Sequence, residues 1–513
     1  MRLRRSSGTP MADSFILAVD QGTGSTKCLL VASDGTVVSQ AAVPIDSRFP
    51  EPTWVEQSPS QIWASVTEAV GRCLDNVGSR GPRDPSDVVA LGLSTQRESL
   101  VLWETASGNA VGPMLGWQDQ RTVLACERLR ASGVAATIRQ LSGLPLDPMF
   151  SASKAGWLLD RYDPDRRRSL RGELRLGTVD SWLMQQLVGT HTIELGNAAR
   201  TQLLDVRTCK WSDELLTIFG IPREVLPEVT SSAHHHGATR DLPGLPDGVP
   251  LTAVLADSHA ALFAHGVFEP GLVKATIGTG SSVMGLVETD REVGSGLCLT
   301  IAWDAGQPVY AAEGNIRSSG ATLTWLAGLF STTPERILEM AEATVAHGVH
   351  LVPAFGGLAA PWWDDRASGT LTGLTLGTGP GEVARAAAES IVLQINDVLS
   401  AVAESVGHVD GLLVDGGGSA NDGLMQMQAD VSQLPAYRAT ATELSALGAA
   451  HLAGLSAGVW DLDDLRALPR ERACFRPRDT VETAHARIAA WHTALARARY
   501  RPDGELAPGG AHT

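Results

Sequence analysis

The stretch Asp20-Gln21-Gly22-Thr23-Gly24-Ser25-Thr26-Lys27 constrains the chain most, because it joins two apolar runs that read as buried strands. Phe15-Ile16-Leu17-Ala18-Val19 leads into it, and Cys28-Leu29-Leu30-Val31-Ala32 leads out to a turn at Ser33-Asp34-Gly35. Two glycines permit a tight reversal and let an anion approach the amide N–H groups. Thr23, Ser25 and Thr26 add hydroxyls, Lys27 adds a charge, and Asp20 at the strand's end suits a hydrated divalent cation. A Rossmann loop needs a third glycine and a following helix, and a Walker A loop needs a longer spacing before Gly-Lys. Both are absent here. A hairpin turn with incidental polar residues stays open on this stretch alone.

A second copy weighs against that plain reading. Ala275-Thr276-Ile277-Gly278-Thr279-Gly280-Ser281-Ser282 repeats the Gly-Thr-Gly-Ser core after the expected strand Leu272-Val273-Lys274-Ala275. A third loop, Asp415-Gly416-Gly417-Gly418-Ser419-Ala420-Asn421, follows the expected strand Leu412-Leu413-Val414. Three strand-then-glycine loops predict two related α/β halves closing on one nucleotide.

At 513 residues with 43% hydrophobic content, the chain can fill two large cores. A net charge of −16 argues against nucleic acid or an anionic membrane as partner, and leaves ATP open. Six cysteines at 28, 73, 126, 209, 298 and 474 show no paired spacing, which reads as small buried residues in a reducing compartment. The basic start Met1-Arg2-Leu3-Arg4-Arg5 is followed by Ser6-Ser7-Gly8-Thr9-Pro10, where a signal peptide would have an apolar core. Residues 1–12 therefore read as a disordered leader, with Met11 a candidate start. No uninterrupted apolar run reaches transmembrane length, and a soluble, cytoplasmic protein without membrane insertion is expected. A homo-oligomer is left open.

Along the chain, residues 14–43 predict a three-stranded meander. Ser58-Pro59-Ser60-Gln61 reads as a capping box before a helix that buries Ile62, Val66, Ala69, Val70, Cys73 and Leu74. The strand Val88–Ser94 delivers Thr95-Gln96-Arg97-Glu98 at its carboxyl end, where open α/β sheets place ligand contacts. A surface ion pair is the plainer alternative. Trp117 is by itself as consistent with partial core as with a pocket wall. Residues 150–235 read as mostly helical, with Asp180 as an N-cap. His234-His235-His236 lacks a spaced partner and reads as a surface loop. Asp257, directly after the strand Leu251–Leu255, is either a cap or a catalytic group. The second half repeats the scheme, with a helix at Gly320–Leu329, a long helix around Val383–Val402 and another at 443–459. The expected domains are 13–264 and 265–500, with a disordered tail at 501–513.

These matches, in order from residue 20 to residue 450, identify a resemblance to the FGGY carbohydrate kinases. They include Asp-Gln-Gly-Thr at 20–23, Trp54-Val55-Glu56-Gln57-Ser58-Pro59, Gln96-Arg97-Glu98, Trp117-Gln118-Asp119 and Gly177-Thr178-Val179-Asp180. Further matches are Asn197-Ala198-Ala199-Arg200-Thr201, Ala360-Pro361-Trp362-Trp363-Asp364, Val414-Asp415-Gly416-Gly417 and Ala446-Leu447-Gly448-Ala449-Ala450. The resemblance implies an actin/hexokinase-like (RNase H-like) fold of two α/β domains with an ATP cleft between them, and a polyol or sugar as substrate. Carried over by position, Asp20 would place Mg²⁺, and Thr23, Gly24, Ser25, Lys27 and Thr279 would hold ATP phosphates. Gly320, Thr324, Gly417 and Asn421 would line the adenosine. Arg97, Glu98, Trp117 and Asp257 would hold the polyol, with Asp257 as general base.

The chain departs from the glycerol-specific pattern within that family. Met149 stands for a tyrosine, Ser258 for a glutamine, Ser282 for an aromatic residue and Thr324 for a glutamine. Two hydrogen-bonding groups are lost, each worth roughly 1 kcal/mol net, and two bulky walls shrink, which predicts a pocket wider than glycerol needs. Glycerol is the first expectation, and a four- or five-carbon polyol or ketose (erythritol, xylitol, xylulose, ribulose) the second. A non-catalytic nucleotide-binding protein of the same fold is the remaining alternative. The loop at 237–250 shows no glycine-basic segment of the kind that binds a sugar bisphosphate regulator in some relatives.

Overall fold

The computed structural model describes residues 14–79, 81–288 and 293–501. The expected leader and all but the first residue of the expected tail lie outside these described residues. The chain divides into two compact units. The first runs to Gly266 and takes in Thr300–Val309 and Glu443–Pro469, and the second holds Val267–Leu299, Tyr310–Thr442 and the chain from Arg470 onwards.

In the first unit, β1 (Phe15–Gln21), β2 (Ser25–Ala32) and β3 (Val37–Pro44) form the expected antiparallel meander. β1 also pairs in parallel with Val88–Thr95, which pairs in parallel with Pro250–Ala256. Ala233–Ala238 closes the far edge of this six-stranded sheet, antiparallel to its neighbour. Every residue of β1 is buried, as its unbroken apolar run requires for a strand covered on both faces. The register sets Gln21, Thr95 and Ala256 side by side at the carboxyl ends of the three parallel strands. The next residues, Gly22, Gln96 and Asp257, therefore leave the sheet together.

The second unit repeats this plan. Leu272–Ile277, Ser281–Val287 and Pro308–Ile316 form an antiparallel meander, and Leu272–Ile277 pairs in parallel with Gly411–Asp415. Ala436–Ala439 adds a further parallel strand and Arg472–Phe475 an antiparallel edge. Among the described strands, Cys298–Asp304, at the edge of this seven-stranded sheet, has no counterpart in the six-stranded one. The helix Pro380–Val406 backs this sheet. Among the described residues it alone is long and apolar enough to cross a membrane, and 78% of its apolar window is buried, as in a core helix.

Several local expectations change. Helix α1 (Pro59–Asp75) has Ser58 Oγ accepting from the Gln61 amide, but the Gln61 side chain donates to Asp46 instead of closing a capping box. Residues 150–235 are less helical than expected, because Leu174–Thr178 forms a strand against Leu100–Glu104. Thr178, not Asp180, caps the helix Val179–Val188. Asp180 is buried and instead accepts from Thr178 Oγ1 and from the Glu194 amide, at 2.5 and 3.0 Å. The histidine triplet lies in the edge strand Ala233–Ala238, with His236 buried and its ring pushed down to about 4 by burial. Cys474 is exposed, unlike the buried Cys28, Cys73, Cys126 and Cys298. Helices at Pro334–Glu342, Asp422–Ser432 and Val481–Ala498 had no clear sequence signal.

The helix Leu444–Ser456, expected in the second domain, belongs with the first unit. Its small residues explain why. Gly448 sits so close to the helix Asp257–Ala264 that an added Cβ would lie 1.8 Å from the Ala260 carbonyl oxygen. A Cβ on Gly92, in the strand beneath, would lie 2.4 Å from the Ala449 carbonyl oxygen. Ser445 Oγ also donates to the Asp257 carbonyl at 3.0 Å, so this helix fixes where Asp257 starts its own. Gly448→Ala is expected to destabilise the protein by about 2 kcal/mol or more, since neither backbone can yield without moving an element. An unchanged thermal unfolding midpoint would contradict this packing.

Candidate active site

The first glycine loop is held from several sides. Gly22 N donates to Ser25 O at 3.0 Å, and Ile45 N to Gly24 O at 3.0 Å. Gln57 Nε2 donates to Thr23 O at 2.7 Å, and the Trp117 indole donates to Thr23 Oγ1 at 3.0 Å. Gln57 is itself fixed by Gln96 Nε2, at 3.1 Å from its amide oxygen, and Gln96 also donates to Gln21. Ser99 Oγ donates to Gln96 Oε1, while the Trp117 amide donates to Ser99 Oγ. One buried amide network thus connects the phosphate-type loop to the indole expected to line the polyol. Gln57 and Ser99 had no assigned role in the sequence, although Gln57 lay in a stretch resembling the family.

Asp20 is buried at the end of β1 and accepts from Ser94 Oγ at 2.8 Å. Burial, reinforced by the charge of Asp257, pushes its carboxyl up to about 7, against the opposing pull of Ser94 and Lys27. Lys27, opposite Asp20 across the hairpin, pairs with Glu443 at 2.5 Å. Glu443 gave no sequence signal, because it reaches this site only through the return of residues 443–469 to the first unit.

Arg97 and Glu98 are buried, 7% and 4% exposed, which removes the surface ion pair alternative. Glu98 adopts φ +61°, a left-handed conformation that a non-glycine residue holds only when its surroundings impose it. Those surroundings are visible. Ser151 Oγ donates to its carbonyl at 2.9 Å, and the fully buried Arg200 donates from Nε to Glu98 Oε1 at 2.6 Å. Arg200 also lies over the Phe150 ring, 5.1 Å from its centroid. Arg97 Nε is 3.6 Å from Asp257 Oδ1 and 3.9 Å from Glu98 Oε1, so one guanidinium faces both carboxylates. The Ser258 amide donates to Asp257 Oδ1 at 2.6 Å. Asp257 is the first residue of its helix, the N-cap position being Ala256. Its side chain remains partly exposed, as a group that meets a ligand must be.

Of the expected polyol residues, Arg97, Glu98, Trp117, Met149, Asp257 and Ser258 all belong to the first unit. Ser282 belongs to the second, where it is buried in its sheet and donates to Glu313 at 2.7 Å. Thr279, Gly320, Thr324, Gly417 and Asn421 are also in the second unit, and the backbone brings their loops together. Ser319 and Ala321 donate to the Thr279 carbonyl at 3.0 Å, and Gly320 N to the Gly278 carbonyl at 2.9 Å. The second glycine loop is thereby fastened to the start of the helix Gly320–Leu329. The third loop packs against the same strand end, since a Cβ on Gly416, at φ +86°, would lie 2.5 Å from the Ile277 carbonyl oxygen. Asn421 caps the helix Asp422–Ser432 through Leu424 N at 2.7 Å and donates to Glu342. Thr324 is exposed, but its hydroxyl donates to Gly320 O within its own helix. Two helix starts and two glycine loops at one sheet end make a ready anion and nucleotide site.

The chemistry of the donor set suits a divalent cation that keeps most of its waters, since Asp20 is one carboxylate whose proton affinity burial and a like charge have raised. No cluster of three His, Cys, Asp or Glu occurs among the described residues, so a metal bound wholly by protein side chains does not fit.

Residues 15–264 match the N-terminal domain, and residues 273–457 the C-terminal domain, of the FGGY family of carbohydrate kinases. A glycerol kinase of Aromatoleum aromaticum is 41% identical over 501 residues, covering 95% of this chain and 99% of that protein. Among solved structures, Plasmodium falciparum glycerol kinase with ADP is similar at a TM-score of 0.87 and 26% identity, over 95% of this chain and 99% of that one. A xylulose kinase from Rhodospirillum rubrum is similar at a TM-score of 0.80 and 25% identity, over 94% and 98%. Both family domains match, in order and over most of the chain, and the protein belongs to the FGGY family of carbohydrate kinases.

Proposed function

We propose that this protein transfers the γ-phosphoryl group of ATP to a hydroxyl of glycerol, giving glycerol 3-phosphate. The observation that carries the reading is the convergence of Arg97, Glu98 and Asp257 at one sheet end beside the loop that holds Trp117 against Thr23. Near-end-to-end identity of 41% with a glycerol kinase supports the choice of polyol.

In this reading Asp257 accepts the proton of the attacking hydroxyl as the new P–O bond forms and the bond to the departing ADP oxygen breaks. The Ser258 amide and Arg97 hold its carboxylate in place. Arg97 and Glu98 bind vicinal hydroxyls, and Trp117 covers the C–H face. In the first unit Thr23, Gly24, Ser25 and Lys27 contact phosphate, and in the second Thr279, Gly320, Thr324, Gly417 and Asn421 bind the nucleotide. Lys27 must exchange Glu443 for phosphate when ATP binds. Asp20 would hold Mg²⁺, whose charge would neutralise the phosphate oxygens. A cytoplasmic location belongs to the same reading.

A second reading, a kinase for a four- or five-carbon polyol or ketose, is favoured by Met149 and Ser258; Ser282, buried in the second sheet against Glu313, no longer argues for it. Turnover of glycerol, erythritol, xylitol, xylulose and ribulose should be compared side by side. Glycerol is expected to give the highest kcat/KM; a larger substrate ahead of it would replace glycerol in the proposal.

Asp257→Asn is expected to lower kcat by about 10²–10⁴-fold while ATP still binds, as read by calorimetric titration. Retained turnover would refute its role as base. Met149→Tyr is expected to raise the preference for glycerol over xylitol by about ten-fold, the worth of one added hydrogen bond. An unchanged preference would remove pocket width from the argument.

A further inference from the structure

Lys154, in the helix Ser151–Tyr162, has no exposed surface. Burying an ammonium is costly unless its donors are satisfied, and an apolar residue of similar length would pack there without that cost. Its Nζ donates to the Met149 carbonyl at 2.7 Å and to the Gly116 carbonyl at 3.1 Å. Gly116 directly precedes Trp117. Two loops separated by more than thirty residues of chain are thereby joined through one cation. Each carries a side chain expected to line the polyol.

The surroundings keep the cation in place. The negative charges of Glu98, Asp119 and Asp147 nearby favour the charged form. Burial pushes the ammonium down to about 8, which leaves it charged at neutral pH. The start of its helix is fixed as well, by Ser151 Oγ on the Glu98 carbonyl and by the Ala152 amide on the Thr201 carbonyl, both at 2.9 Å. Asp119 is tied separately to Arg121 and to the Val55 amide, so the Trp117 loop has a rigid far side and Lys154 sets its near side.

We propose that Lys154 is a positioning residue that sets the spacing between the Trp117 and Met149 walls and so tunes which polyol the enzyme accepts. The inference rests on the assignment of Trp117 and Met149 to the polyol pocket. Because the two bonds go to backbone carbonyls, the spacing is independent of which side chain stands at 149.

The test compares the full-length parent with Lys154→Met, Lys154→Gln and Trp117→Ala, using glycerol and ATP as the varied substrates. Lys154→Met is expected to raise the glycerol KM by about ten-fold or more, through two unpaired buried carbonyls, with the ATP KM within about two-fold of the parent. Lys154→Gln retains an N–H₂ group and is expected to recover part of the loss; it also carries the test should the methionine variant fail to fold. A glycerol KM unchanged in both lysine variants, while Trp117→Ala raises it, would overturn the role of Lys154. An unchanged glycerol KM in Trp117→Ala would overturn the assignment of the pocket itself. Equal losses toward glycerol and ATP in both lysine variants would reduce Lys154 to a general structural residue and also overturn the inference.

Discussion

Two carboxylates that repel one another set the terms for the first unit. Asp20 ends β1 and Asp257 follows Pro250–Ala256, with a single strand, Val88–Thr95, between theirs. Asp20 is held by strand pairing on both sides, while Asp257 begins the helix that directly follows a paired strand and is held by Ser445 Oγ on its carbonyl and by the close approach of Gly448. Their mutual charge, added to burial, holds the Asp20 carboxyl near 7. Such an arrangement costs stability unless positive charge is supplied. Arg97 supplies it to Asp257 and Lys27 in part to Asp20, and Lys27 is shared with Glu443. In the proposed reaction, a ligand that brings a divalent cation would relieve this repulsion.

The two units solve the same geometric problem with different residues. In each, an antiparallel hairpin meets a parallel strand at a glycine turn. The first unit surrounds its turn with side-chain amides and an indole, Gln57, Gln96 and Trp117. The second surrounds its turn with backbone, the starts of the helices at Gly320 and Asp422 and the glycines at 416–418. Side chains confer specificity for hydroxyl patterns, and backbone N–H groups suit phosphates and ribose. The division of labour proposed for the two units follows from that difference.

Strands, glycine loops and the long apolar helix were legible in the sequence because each depends on local pattern: unbroken apolar runs, Gly-Thr-Gly-Ser, and a 3.6-residue repeat. What depended on return of the chain was not legible. The helix Leu444–Ser456 is apolar almost all round, so periodicity gives it no direction; the close approach of Gly448 to Ala260 and of Gly92 to Ala449, with Ser445 on the Asp257 carbonyl, places it. With it came Glu443, and hence the partner of Lys27. The histidine triplet misled because three identical polar residues have no alternating pattern, yet a sheet edge accepts two exposed and one buried. Asp180 looked like a cap from its place before a helix. Its real partners, Thr178 and the Glu194 amide, differ in kind: the first is local, while the second lies fourteen residues on.

The same distinction bears on substrate choice. Ser282 and Met149 were weighed together from sequence as two shrunken walls, but their surroundings differ. The Ser282 hydroxyl is committed to Glu313, which also accepts from Asn315 Nδ2 at 3.3 Å, so an aromatic residue at 282 would take one donor from a buried carboxylate. Met149 is only half-buried, and its backbone, not its side chain, is what the fold holds: Asp147 takes its amide and Lys154 its carbonyl. A half-buried side chain on a fixed main chain can change size with less disturbance of the fold than a fully buried one. In the proposed pocket, selectivity among polyols would be altered most readily at 149, on the frame proposed for Lys154, and least readily at 282, where the side chain is bound to the core of the second sheet.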